Sequence, residues 1–454
     1  MTFQVINPFD GCLLKEIPVW SDAQVEAALQ KSAEAAQHWA ARSIVERAVY
    51  LRKLGQLIGE RKALLARLIT QEMGKLYIES LAEVSKCADI CDYYANNATV
   101  FLADEVIESD AGRSFVAYQP LGTILAVMPW NFPLWQVMRF AVPVLMAGNC
   151  ALLKHASNVP QCALALQQLM SDAGLPEGVF TSLMIKAPQV KAVIEDDRVH
   201  AVSLTGSTPA GKQVAAAAGS VLKKCVLELG GSDPFIVLED ADVEQAVQAA
   251  IASRYLNAGQ SCIAAKRFIV VAAIADQFVA QLKIAVERLK VGDPMDQATS
   301  LAPMAREDLR DELHQQVLTS IEQGAKPLTG CQSVTGAGAF YLPSILDYVK
   351  SGMLAYHEEL FGPVAIVIRV EDEREALTIA NDSIFGLGAS IWTEDLQRGE
   401  RLARELEAGA VFVNGMVKSD ARLPFGGIKQ SGYGRELSLL GIREFVNAKT
   451  IWLR

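Results

Sequence analysis

Apolar residues recur at spacings of three and four through residues 22–100, as in Val45–Leu68, with charged residues between them. That period predicts amphipathic helices. Ser21-Asp22 and Asp89-Ile90-Cys91-Asp92 read as boundaries or surface turns. Beyond residue 100 the pattern changes. Ser114–Gln119 and Gly122–Met128 read as strands. Short apolar runs then alternate with helical ones: Cys150–Lys154, a helix over 160–173, Ser182–Ile185, a helix over 188–195, Ala201–Thr205 and a helix over 209–218. Such alternation is the mark of βα units around a parallel sheet. A second set follows residue 231. It comprises Pro234–Leu238, a helix over 242–255, Arg267–Val271, a helix over 274–289, and later Val364–Val370, Ala389–Trp392 and Ala410–Asn414. No internal repeat or low-complexity linker interrupts it. The last stretch, Phe445–Leu453, reads as an edge strand, and an uncovered apolar edge points to a partner.

A chain of 454 residues exceeds one ordinary domain, so two or three are expected. With 51% apolar and 21% charged residues it suits a soluble globular protein with sizeable cores. The net charge of −10, without a basic block, argues against nucleic acid or an anionic membrane as partner. A local cationic pocket for a phosphate or carboxylate is compatible with it. The first residues lack a basic region followed by an apolar run, so no signal peptide is expected. The longest apolar run, near Ala141–Leu153, is broken by Pro143, Gly148 and Asn149 and is too short to span a bilayer. The eight cysteines lack the spacing of a disulfide framework, which predicts reduced thiols in a cytoplasmic protein. Cys87 and Cys91, four apart in a helical stretch, are expected to face a core. The five scattered histidines form no ligand pair, so no metal site is expected.

Candidate chemistry sits in three strings. Asn257-Ala258-Gly259-Gln260-Ser261-Cys262 places one cysteine in a small, turn-prone segment. Glu228-Leu229-Gly230-Gly231-Ser232-Asp233-Pro234 puts a carboxylate at a strand end beside a glycine pair. A thiolate can attack a carbonyl, and a carboxylate can then activate water against the resulting thioester. A lone cysteine is more often an inert buried side chain, and a lone glutamate a solvated one. The third string is Pro129-Trp130-Asn131-Phe132-Pro133, in which Asn131 could supply an amide N–H to an oxyanion or simply cap a helix.

Together these strings closely resemble the aldehyde dehydrogenase superfamily. The likeness runs from Glu72-Met73-Gly74-Lys75 to the stretch from Pro424-Phe425-Gly426-Gly427 through Gly434-Arg435-Glu436. It implies an α/β fold with a Rossmann-like cofactor domain (1–104 and 122–230), an α/β catalytic domain (231–430) and a β oligomerisation element (105–121 and 431–454). It implies Cys262 as nucleophile, Glu228 as the base for deacylation, and Asn131 with the Cys262 backbone N–H as oxyanion donors. Relatives that pass the acyl group to coenzyme A typically lack that glutamate, so hydrolysis to a free acid is implied. A homodimer or dimer of dimers is implied as well.

The chain has no Gly-x-Gly-x-x-Gly. Gly206-Ser207-Thr208-Pro209-Ala210-Gly211-Lys212 nearly spells a nucleotide-triphosphate P-loop, but Gln213 stands where the Mg²⁺-holding hydroxyl belongs. Pro209 also marks a helix N-terminus, whose free N–H groups can accept pyrophosphate. By resemblance this segment contacts a dinucleotide through Gly206 and Ser207, with Gly211, Trp130, Leu229 and Gly230 in the same site. Lys154 matches a lysine on the adenosine ribose. Glu359 matches the glutamate on the nicotinamide ribose, and Phe361 the aromatic beside the nicotinamide. Ser157 departs from the glutamate of many NAD-preferring relatives. A carboxylate there would repel a 2′-phosphate, whereas serine can donate to it. NADP is therefore expected as the preferred cofactor, with NAD also accepted.

Arg139 lies in an otherwise apolar run and needs a partner. A structural salt bridge is one reading. In the other, a helix carries Arg139 about 12 Å from Asn131 at ~1.5 Å per residue, and its side chain leans back toward the helix N-terminus. It could then meet a substrate carboxylate with its fork. By resemblance it matches an arginine that binds the distal carboxylate of succinate semialdehyde. Relatives of that specificity often carry a second arginine at the position of Leu256, a departure for which Ser419 and Arg422 could compensate. Trp135 is placed in the same pocket. Ala264 stands where many relatives have a second cysteine, so no local disulfide with Cys262 is possible. The expected reaction is oxidation of succinate semialdehyde to succinate. Another small aldehyde, or a non-enzymatic binding role, is the alternative.

Overall fold

The computed structural model describes residues 1–454, and three sheets organise them. The N-terminal third is helical as its period predicts: Asp22–Ala40, Ile44–Glu60, Lys62–Met73 and Tyr77–Phe101. Ser21 with Gln24, and Ser43 with Glu46, form reciprocal capping boxes that set the first two starts. The segment Asp89–Asp92 is not a turn. It lies inside the continuous helix Tyr77–Phe101, where Ile90 and Cys91 are buried while Asp89 and Asp92 face solvent. Two aspartates three apart share a helix face, so they mark its wet side. Cys87 is buried in the same core.

The first sheet has the order Gly432–Tyr433, Lys224–Glu228, Val199–Thr205, Thr123–Met128, Cys150–His155, Phe180–Ser182. All its pairs are parallel except the first. The chain starts at Thr123–Met128, steps outward two strands, then crosses back to Val199–Thr205 on the other side. That reversal makes a crevice at the carboxyl ends of these two adjacent strands, where open α/β sheets bind ligands. The expected strand Ser182–Ile185 ends at Ser182, while Leu183–Ile185 stay buried as the chain leaves the sheet. An apolar run reports burial, which a strand and its buried exit share.

The second sheet has seven strands, ordered Lys326–Thr329, Ser344–Asp347, Val364–Val370, Ala265–Val271, Asp233–Val237, Gly388–Trp392, Ala410–Val413. The third pairs Val446–Leu453 with Arg113–Pro120 and Glu105–Val106. Gly432–Tyr433, expected in the oligomerisation element, instead extends the first sheet, with Gly432 opposite Glu228. Gly432 has φ +110°, and a side chain there would collide with the Leu227 carbonyl, so only glycine lets this return strand close on the sheet.

The helix Trp135–Met146 is buried at every residue and runs through the largest core. Its N-terminus is held by Glu83, whose Oε1 accepts from the N–H groups of Leu134 (2.9 Å) and Trp135 (3.0 Å). Glu83 is itself ion-paired with Lys75 in the interior. A carboxylate on the free N–H groups of a helix start fixes that end. It thereby fixes the crevice segment 129–134 that precedes it.

Candidate active site

Cys262 stands between the helix Val243–Tyr255 and the strand Ala265–Val271, in a loop forced into shape. Asn257 and Ala258 both adopt left-handed backbone, φ +54° and +51°. For an alanine this conformation carries strain, which the surroundings must impose. They do so by hydrogen bonds. Asn257 Nδ2 donates to the carbonyls of Asn131 (2.7 Å) and Gln260 (3.1 Å), and Asn257 N donates to Glu79 Oε1 (3.1 Å). Gln260 Oε1 accepts from Ala305 N (2.9 Å). Gly259, at φ +73°, is packed so close to the Gly362 carbonyl that no β-carbon fits. Lys266 Nζ then donates to the carbonyls of Ser261 and Cys262, both at 2.9 Å.

The thiol faces a cavity of ≈ 400 Å³. Its enclosure by protein pushes the thiol up to about 12, opposed by the positive charges of Arg139 and Lys266. The resting group is thus a thiol that needs a proton acceptor. The Cys262 backbone N–H has no hydrogen-bond partner. Asn131 Nδ2 donates one hydrogen to the Gln260 carbonyl at 3.1 Å, which leaves the amide's second N–H free. The Cys262 N–H and an amide N–H tied to the same loop through the Gln260 carbonyl are donors of the kind a developing oxyanion requires. Asn131 does not cap a helix: the helix begins at Trp135, and Glu83 takes its first N–H groups.

Glu228 ends its strand as expected and is buried, with both carboxyl oxygens unpartnered. Burial and the neighbouring Glu436 raise it well above the usual carboxylate range, and Arg139 counteracts them. Such a group holds a proton strongly once it has taken one. It lies against Gly426, where a β-carbon would sit 2.7 Å from Glu228 Oε1. Any side chain at residue 426 would therefore displace the carboxylate.

Some of the expected cofactor residues lie at the crevice. Gly206 and Ser207 follow the strand Val199–Thr205 and open the helix Thr208–Ser220, and Ser207 makes no side-chain cap bond to that helix. Lys154 lies near the end of the strand Cys150–His155, on the other side of Thr123–Met128, half-buried, with burial lowering it. Lys154 and Ser157 line a second cavity of ≈ 760 Å³ together with Asn158, Lys186 and Arg306. Asp308 also lines it and takes up Arg306, which leaves Lys154 and Lys186 with Ser157 as a wall that fits a ribose 2′-phosphate. Trp130 and Phe361 meet edge to face at 5.9 Å. Glu359 pairs with Lys266 at 3.1 Å, and a β-carbon on Gly230 would run into its carboxylate. Gly211 has another part. A β-carbon there would lie 2.5 Å from Leu229, so this glycine lets the helix pack on Leu229, and it faces that residue, not the crevice. Lys212 donates to Gln430 at the surface, away from any phosphate cradle.

Trp135, Arg139 and Ser419 line the Cys262 cavity, as expected, with Leu256 on the wall. Arg139 is ion-paired with Glu436 and also lies beside Thr205 Oγ1 (3.4 Å). The salt-bridge reading and the cavity position thus hold together. Arg422 does not reach the cavity. It is exposed and forks onto Asp420 at 2.8 and 2.6 Å, a partner two residues away that satisfies it on the surface. The reading of the sequence missed Lys86, Lys266, Glu436 and Glu79. Lys75, Glu79, Glu83 and Lys86 fall at helical spacing around one face, a signal of buried charges that was available.

A model of the aldehyde dehydrogenase family matches residues 1–451. The chain is 50% identical over 453 residues to a Synechocystis protein named "Probable succinate-semialdehyde dehydrogenase (NADP(+))", covering all of both chains. It is 50% identical to the Escherichia coli protein named "Succinate semialdehyde dehydrogenase (NAD(P)+) Sad", covering 98% of this chain and 97% of that one. Among solved structures, the succinic semialdehyde dehydrogenase of Streptococcus pyogenes in complex with NADP+ superposes with a TM-score of 0.98. It is 38% identical, with 99% of each chain covered.

Proposed function

The chain belongs to the aldehyde dehydrogenase family, and from that premise we propose that it oxidises succinate semialdehyde to succinate, with NADP preferred and NAD accepted. One observation carries the substrate. The cavity that holds the Cys262 thiol is also lined by Ser419, Trp135 and Arg139, polar groups suited to a carboxylate. The names of the relatives at 50% identity support the same substrate and cofactor.

Cys262, its proton given up to solvent, adds as the thiolate to the aldehyde carbon. The oxygen becomes an oxyanion beside the Cys262 N–H and the free Asn131 N–H. The bound nicotinamide supplies the hydride acceptor that turns the thiohemiacetal into a thioester. Lys154, Ser157, the start of the helix Thr208–Ser220 and Glu359 would hold that cofactor. Glu228 then takes a proton from water, whose oxygen adds to the thioester carbon. The carbon–sulfur bond breaks, the thiol is restored, and succinate leaves.

We assign cofactor binding to residues 1–104 and 122–230, catalysis to 231–430, and assembly to 105–121 with the strand Val446–Leu453. That strand has a neighbour on one side only, which supports a homodimer or dimer of dimers. Eight free thiols support a cytoplasmic setting, and no helix is long and apolar enough to cross a membrane.

Steady-state reduction of NADP and NAD with succinate semialdehyde and butanal tests this reading. A strong preference for the carboxylated aldehyde is expected. A second reading, an uncharged substrate, draws on the pairing of Arg139 with Glu436 and on the apolar wall of Ile78, Phe132, Leu256 and Val417. Equal kcat/KM on both aldehydes would select it.

A further inference from the structure

Four cationic side chains line the Cys262 cavity: Lys75, Lys86, Arg139 and Lys418. Two are already neutralised inside the protein, Lys75 by Glu83 and Arg139 by Glu436. Lys418 is exposed at the rim. Lys86 alone is withdrawn from solvent without a carboxylate in ion-pairing reach. Its partners are Ser419 Oγ, to which Nζ donates at 2.6 Å, and the Trp135 ring, whose centroid lies 4.1 Å away.

Ser419 completes the argument. Its Oγ accepts from Lys86 Nζ and also from Trp135 Nε1 at 3.1 Å. A hydroxyl has two acceptor lone pairs and one donor. With both lone pairs engaged, the Ser419 O–H is left as a donor. Ser419 is buried and lines the cavity. A free ammonium and a committed hydroxyl donor therefore meet at one place, while the two carboxylates of the lining are engaged elsewhere, Glu83 with Lys75 and Glu79 with the Asn257 N–H.

Resting on the carboxylated-aldehyde reading above, we infer that Lys86, through its ammonium and the Ser419 hydroxyl it orients, is the charge that receives the substrate's distal carboxylate. Arg139, its Nε paired with Glu436 and its Nη2 beside Thr205, adds field to the cavity with its charge already countered inside the protein. The cation–π contact with Trp135 and the bond to Ser419 hold the Lys86 ammonium in place before substrate arrives. Burial and the Arg139 charge push Lys86 down to about 8, against Glu83 and Cys87 on its own helix and Asp420 on the facing loop. The cavity thus loses this positive charge on the alkaline side of neutrality.

The test is the ratio of kcat/KM for succinate semialdehyde to that for butanal, which cancels ionisations of Cys262 and Glu228 common to both. Lys86→Met should lower the ratio at least about tenfold at pH 7.5, the loss of one charge-assisted contact. Lys86→Arg should keep it within about threefold. In the unaltered enzyme the ratio should fall as pH rises from 7 to 9.5, a measurement that needs no variant to fold, and in Lys86→Arg it should stay flat. An unaltered enzyme with a high ratio that neither Lys86→Met nor pH changes would overturn the role of Lys86 while leaving the substrate reading intact. A ratio near one in the unaltered enzyme would overturn both.

Discussion

The guanidinium of Arg139 is paired with the carboxylate of Glu436 where both are almost wholly enclosed, 2% and 4% exposed, under the ring of Phe425. Removing one member of such a pair strands the other charge in the interior and costs about 3–5 kcal/mol, whereas replacing both with apolar groups is far less harmful. Arg139→Met and Glu436→Leu should each lower the urea unfolding midpoint clearly, and the double variant should recover much of the loss. Additive losses would show that the two side chains are not energetically coupled. Because Arg139 also lowers Glu228 and Cys262, the acid limb of the butanal pH profile should move to higher pH in Arg139→Met.

The Cys262 thiol, raised to about 12, is mostly protonated at neutral pH. Only the thiolate alkylates. Inactivation of the cofactor-free enzyme by iodoacetamide should be slow at pH 7.5 and rise about tenfold per pH unit up to pH 10, since thiolate grows in that proportion below the pKa. A rate that levels off below pH 9 would contradict the desolvated thiol. Cys262→Ala should abolish turnover and leave NADP binding, read by fluorescence quenching, intact.

Glu228→Gln keeps the shape of the side chain and removes the base. General-base loss costs roughly 10²–10⁴ in rate, and it should fall on deacylation. A rapid burst of no more than one reduced cofactor per active site, followed by slow turnover, is the expected stopped-flow trace. Fast steady turnover would sink the assignment of Glu228.

At residue 157 a carboxylate should reverse the cofactor preference. Ser157→Glu would bring a negative charge toward the 2′-phosphate in the cavity lined by Lys154, Lys186 and Arg306. It should raise KM for NADP by about tenfold or more, with KM for NAD changed far less. Equal effects on the two cofactors would mean that the 2′-phosphate lies elsewhere.

Much of this protein was legible in one dimension. Helical and strand periods report which face of each element is buried, so the helical N-terminal third and most strands of both large sheets followed from spacing, while Lys326–Thr329, Ser344–Asp347 and Gly432–Tyr433 did not. The strings around Asn131, Glu228 and Cys262 named the chemistry because reacting groups need a particular local backbone, and that backbone demands particular neighbours such as Gly230 and Gly259. Charge pairing was not legible, because a partner is chosen by proximity in space and not by distance along the chain. Arg139 finds Glu436 almost three hundred residues away, while Arg422 is taken by Asp420 two residues back and never turns inward. Gly432–Tyr433 looked like part of a terminal assembly element until the fold brought it against Glu228. Lys86, on a helix whose pattern says only that one face is enclosed, became a candidate anchor when that face met Ser419 and Trp135. Local sequence determined which elements and reactive groups exist; only the packing of distant segments decided which charges are cancelled and which is left free to act.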